Sequence, residues 1–84
     1  MGYRSDYFKD SKNAGNHGWY KCVRCGRSFR KDSIDIDHIV PKALGGSNSI
    51  DNLQCMCKHC NRSKGADVSN TYEDFKNNLK RRDT

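Results

Sequence analysis

Two groups of residues in this 84-residue chain could do chemistry. The first is an acid, a histidine and an amide: Asp37 and His38, adjacent at the end of the run IDIDH, and Asn61, directly after the last cysteine. Phosphodiester hydrolysis with one metal ion needs a hard cation held by few oxygen ligands, so that phosphate and water can complete its shell. It also needs a neutral imidazole nearby to take a proton from the attacking water. Asp37 can supply a charged oxygen and Asn61 an amide oxygen, a pair that suits Mg²⁺ or Mn²⁺, while His38 is left free as the base. The second group is four cysteines in two C-x-x-C pairs, Cys22/Cys25 and Cys57/Cys60. Two such knuckles fill the tetrahedral shell of a structural zinc and leave no open position. A redox dithiol is the competing reading of a C-x-x-C pair. Cys55 is left over, as a small buried residue or a free thiol rather than a ligand.

Local structure has to gather these groups. The segment from Gly26 to Met56 is longer than the roughly 15–20 residues between the pairs of an ordinary zinc ribbon, so something is inserted between the knuckles. Trp19 and Tyr20 lead into the first knuckle and Ser28 and Phe29 leave it, which predicts strand, turn and strand, with Gly26 suited to a positive φ. Alternation and β-branching predict a strand over Ile34–Ile39, with Ile34, Ile36 and His38 on one side and Asp35, Asp37 and Ile39 on the other. Residues 41–51, PKALGGSNSID, are loop by composition. NLQCMC is short enough for a second strand, and KHCNRSK runs into a helix that Gly65 can end. In SNTYEDFKNNLKRR, a cap from Ser69, Asn70 or Thr71, acids in the first turn and bases in the last predict a helix. Its stripe of Tyr72, Phe75 and Leu79 is expected to pack into the core. Residues 1–18 are polar and read as a short helix or arm followed by a Gly/Asn loop, a beginning that also fits a domain cut from a longer chain.

The ordered strings DHIVPKALGG, DNLQ and CKHCNRSK resemble the HNH, or ββα-metal, endonucleases, in the subgroup whose two C-x-x-C pairs bracket the catalytic motif. The resemblance covers residues 19–64. It implies a small α+β fold, a ββα-metal finger stapled by a four-cysteine zinc and followed by a C-terminal helix. The expected division is an arm over 1–18, a nuclease core over 19–66 and an amphipathic helix over 67–84. By position His38 matches the family's general base, Asp37 the metal-binding acid, and Asn52 the residue that ties down the loop and helps orient the histidine. Asn61 matches the last motif position, which is His in many members and Asn in others, including phage endonuclease VII. Cys22, Cys25, Cys57 and Cys60 match the zinc ligands. His59 is the rival for the second metal-ligating position, but it lies inside the knuckle. His17 reads as a surface residue.

Charge points to the partner. Lys and Arg number 16 against 10 Asp and Glu, a formal net charge of +6, concentrated in the first third of the chain. A basic surface attracts polyanions, nucleic acid above all, although it can also be merely solvated. Arg62 and Lys64 follow Asn61 on the expected helix, where they could meet phosphate. Arg24, Arg27 and Arg30 lie on and beyond the first knuckle and could track a backbone. Nothing resembles a recognition helix with base-reading side chains, so DNA binding with little sequence specificity is expected. The odd cysteine count and the lack of an apolar leader argue for a reducing compartment, and no apolar run is long enough for a bilayer. The motif string also looks like toxin domains that bacteria deliver into rival cells, where an immunity protein would be the partner, and like phage or mobile-element nucleases of the cytoplasm. Monomer and homodimer both remain open. The alternative function is a zinc-ribbon module that grips nucleic acid without cutting it.

Overall fold

The structure, a computed structural model, describes residues 2–10, 15–65 and 68–82, the side chain of Arg82 excepted. Part of the expected Gly/Asn loop, at 11–14, and the bounds of the expected division near 66–67 and 83–84 fall outside the described residues. In chain order the elements are helix α1 (Tyr3–Lys9), strands β1 (Trp19–Lys21), β2 (Ser28–Arg30), β3 (Ile34–His38) and β4 (Leu53–Cys57), then α2 (Lys58–Lys64) and α3 (Thr71–Arg82). Short 3-10 turns occupy Lys31–Ser33, Lys42–Leu44 and Ile50–Asn52. The β3–β4–α2 succession is the expected ββα unit, and β1–β2 is the hairpin that carries the first knuckle.

Both ladders are antiparallel, and β3 pairs with β4 so that Ile36 faces Cys55, Asp37 faces Gln54 and His38 faces Leu53. Partners across an antiparallel ladder share a face, so the pleat sorts the core. One face carries Ile34, Ile36, Leu53 and Cys55, which pack with Tyr7 of α1 and, around the rim, Tyr3, Phe8, Tyr20, Phe29 and Ile50. The other face carries Asp35, Asp37, Gln54 and Met56. All five β4 residues are buried, as covering on both faces requires. α1 is anchored by Arg4, whose guanidinium donates to the carbonyls of Ile34 at 2.7 Å and Lys31 at 2.8 Å.

The knuckle turn closes as its sequence predicts: Gly26 has φ +76° and donates to the Cys22 carbonyl at 3.0 Å. In the β3–β4 loop, Gly46 lies so close to Val40 that a Cβ there would stand 1.7 Å from the Val40 oxygen. Only glycine lets the chain double back this tightly after the strand.

The C-terminal helix forms, but its expected packing is reversed. Tyr72 is 75% and Leu79 52% exposed, and Phe75 is half-buried. Asp74 and Asn78 are the buried residues instead, at 6% and 3%. Periodicity does group Tyr72, Phe75 and Leu79, but the face α3 must bury is chosen by polar groups waiting in the body of the domain. Asp74 takes the Arg24 guanidinium at 3.1 Å and the Gln54 amide at 3.3 Å, and the Asn78 amide donates to the Asp51 carbonyl at 2.9 Å. Buried Gln54 gains a partner from this face, and a buried polar group left without one costs more than the exposure of an apolar stripe.

Candidate active site

The four cysteines meet where the hairpin touches the end of β4. Cys22 and Cys25 come from the β1–β2 turn, Cys57 ends β4, and Cys60 lies in the first turn of α2. Their sulfurs all lie within 4.8 Å of one another, compatible with the edge of about 3.8 Å that four Zn–S bonds of ~2.3 Å define. The backbone amides of Arg24 and Cys60 each donate to a cysteine sulfur, Cys22 and Cys57 respectively, at 3.4 Å. At Cys22, burial opposes ionisation, but backbone N–H groups outweigh it and lower its pKa to about 6. Desolvation and hydrogen bonds to the neighbouring sulfurs push Cys60 up to about 12. Four thiols this close cannot all ionise without a cation between them, and zinc is the cation this donor set fits. Cys55 lies outside the cluster, 5% exposed, with burial pushing its thiol to about 12. It is a packed core thiol and an unreactive one.

At the far end of β3, a groove of about 440 Å³ is lined by Asp37, His38, Asn61 and Lys64, with Tyr3 and Pro41 among its walls. Asp37 and His38 point to opposite faces of the strand, yet both open on this groove because the strand ends there. Asp37 projects toward α2. Its carboxylate accepts from the Gln54 amide at 2.9 Å and pairs with the Lys64 ammonium at 3.2 Å, both partners of the ion pair being nearly buried. Gln54 in turn reaches Asp74 and through it Arg24, so a continuous polar chain runs from the first knuckle to Asp37.

His38 projects toward α1, where the Tyr3 ring meets it edge-on at 4.4 Å between centroids. Its Nε2 lies 2.8 Å from the Asn48 amide oxygen. That oxygen cannot donate, so the neutral ring carries its proton on Nε2 and presents the Nδ1 lone pair. Asn52 works one step further back. Its amide accepts from Val40 N at 2.9 Å and donates to the carbonyls of Val40 at 3.1 Å and Ser47 at 2.8 Å. Among the described residues it is Asn48, carried by the loop that Asn52 pins, that contacts the imidazole polar edge. Asn52→Ala should leave these part-buried backbone groups without their partner and lower stability by about 1–3 kcal/mol, as read from urea unfolding.

Asn61 lines the groove beside Asp37, whereas exposed His59 lines a separate depression with Arg24, Ser63 and Asn70. His17 is exposed, at a positive φ of 54°. Several basic residues are placed differently from expectation. Lys64 is engaged with Asp37 rather than projecting from α2, Arg24 with Asp74, and Arg30 stacks over Trp19 at 4.3 Å while donating to the His17 carbonyl. Arg27 and Arg62 are exposed. Sequence reasoning missed Tyr3, Asn48, Gln54 and Asp35. All four act through contacts remote in sequence, and only the pairing of Asp37 with Gln54 follows from strand register.

Residues 22–67 match the family model of the HNH endonucleases, described as "HNH endonuclease". Among curated proteins, the chain is 41% identical over 46 residues to a CRISPR-associated endonuclease Cas9 of Corynebacterium diphtheriae, a match covering 54% of this chain and 4% of that protein. It is 46% identical over 44 residues to a CRISPR-associated endonuclease Cas9 of Actinomyces naeslundii, covering 51% of this chain and again 4% of the relative. The chain thus spans a small part of the length of the curated relatives it matches. No solved structure gives a significant match. Among the described residues no helix is long and apolar enough to cross a membrane.

Proposed function

The chain belongs to the HNH endonuclease family, and from that premise we propose that it hydrolyses DNA phosphodiester bonds, with little sequence specificity, using one divalent cation. The observation that carries this reading is the convergence of Asp37, His38 and Asn61 on one groove at the end of β3. Asp37 and Asn61 would hold the cation. Their donor set, one carboxylate and one amide oxygen, fits a hard ion, which would compete with the Lys64 ammonium for Asp37. When bound there, Mg²⁺ or Mn²⁺ would supply charge stabilisation for the phosphate and the leaving 3′-oxygen. His38 Nδ1 accepts the proton of the attacking water, and its Nε2–H stays on Asn48, so the ring keeps its orientation as it becomes imidazolium. Exposed Arg62 shares the phosphate charge, while Lys64 stays paired with Asp37 on the groove wall. The product ends are a 5′-phosphate and a 3′-hydroxyl.

That the curated relatives are endonucleases by name favours cleavage over a non-cutting zinc-ribbon module, which has no use for a paired Asp37 beside His38. The same chemistry would serve a toxin domain neutralised by an immunity protein or a phage nuclease. Supercoiled plasmid and a structured RNA, each incubated with Mg²⁺ or Mn²⁺, test the proposal. Nicks that a DNA ligase seals without prior kinase treatment are expected. Failure to cut the plasmid with any divalent ion, or preferential cutting of the RNA, would overturn the DNase reading.

A further inference from the structure

Asparagine is an ambiguous metal ligand, because the two ends of its amide have nearly the same shape and opposite chemistry. The oxygen can bind a cation; the NH₂ cannot, and it would repel one. Asp35 removes the ambiguity at Asn61. Its Oδ2 accepts from Asn61 Nδ2 at 3.1 Å, and its Oδ1 accepts from Lys58 Nζ at 2.9 Å. An ionised carboxylate can only accept, so it captures the NH₂ end and leaves the oxygen as the end free to face the groove shared with Asp37. Lys58 and Asn61 stand one turn apart on α2, and Asp35 and Asp37 share a face of β3, two residues apart. The strand and the helix are thereby laced by two rungs, Lys58 and Asn61 on Asp35, and Lys64 on Asp37.

We propose that Asp35 is a positioning residue that fixes the amide orientation of Asn61, with Lys58 holding Asp35 in turn, and thereby sets cation affinity at the groove. This rests on the reading of Asp37 and Asn61 as cation ligands. Asp35 does not line the groove, so it is not itself a ligand. Outer partners of this kind change metal affinity by roughly 10–100-fold when removed.

The test is Mn²⁺ binding to the zinc-loaded full chain, read as free Mn²⁺ by electron paramagnetic resonance, in wild type, Asp35→Ala, Asn61→Asp and the double variant, with Asp37→Ala alongside. Asp35→Ala should raise the Mn²⁺ Kd at least tenfold, the lower end of that range. In the Asn61→Asp background, where both ends of the side chain are oxygens, the same substitution should leave the Kd unchanged. A loss of equal size in both backgrounds would overturn the proposal, and so would an unaltered Kd in Asp35→Ala. Should Asp35→Ala lose its cooperative thermal transition, Asp35→Val keeps the strand propensity without an acceptor and carries the same expectations. A Kd insensitive to Asp37→Ala would overturn the cation reading itself and this proposal with it, whereas a Kd that responds to Asp37→Ala but not to Asp35→Ala overturns only the role of Asp35.

Discussion

Cys57→Ser should leave the chain without a cooperative unfolding transition. Cys57 is 4% exposed, ends β4, and receives the Cys60 amide at the start of α2. With Cys22 and Met56 it forms a small core cluster. Losing this thiolate therefore removes a zinc ligand, a helix cap and core packing at one position. The first hairpin's other ties to the body include Tyr20 and Phe29 at the rim of the main core, one backbone bond from Val23 N to the Cys55 carbonyl at 2.9 Å, and the Arg24–Asp74 pair. Structural zinc sites of this type bind with an apparent ~10–16 kcal/mol at neutral pH, as large as the whole stability of an ordinary domain. Circular dichroism on heating, together with zinc content, checks the result. Cys55→Ala is the control, since this thiol lies outside the cluster and should leave one zinc per chain. A Cys57→Ser protein that melts like wild type would remove zinc from the account of stability.

His38→Ala should lower the cleavage rate by about 10²–10⁴-fold, the usual contribution of a positioned general base, with little change in stability. The two effects separate because His38 is only partly buried and its contacts are peripheral, an edge-on ring from Tyr3 and one hydrogen bond with Asn48. The groove walls, the Asp37–Lys64 pair and the zinc cluster all stay in place without it. Single-turnover cleavage of a labelled duplex measures the rate, and the thermal midpoint of the same preparation reports the fold. A rate that falls only in proportion to a loss of folded protein would make His38 structural rather than catalytic.

Much of the architecture was legible because its signals are local. The C-x-x-C spacing located both knuckles, the Ile/Asp alternation marked β3, and the cysteine-to-glycine segment 57–65 delimited α2. The residues gathered in the groove were also legible, since Asp37 and His38 are adjacent and Asn61 follows a knuckle whose position the cysteine cluster fixes. The orientation of α3 was not. Hydrophobic periodicity reveals which residues share a face but not which face is needed, and here buried Gln54 and the Arg24 guanidinium select Asp74, 50 residues from Arg24 in sequence. The pairing of Lys64 with Asp37 was not legible for a related reason. A lysine after a metal-ligand position reads as a phosphate contact, whereas the geometry sets its ammonium against Asp37 across the helix–strand interface. Asn48 and Tyr3 carry no sequence signal at all, because each acts on His38 only once a loop or a terminal helix has folded over it.

The most direct test of the central claim is nicking of supercoiled plasmid by zinc-loaded wild type and His38→Ala, at equal folded concentration, in Mg²⁺ or Mn²⁺ and in a chelator that spares the tightly held zinc. Wild type should convert the plasmid to open circles only when the divalent ion is added, and His38→Ala should do so at least about a hundredfold more slowly. Equal conversion by the two proteins would contradict the assignment of this groove as the active site.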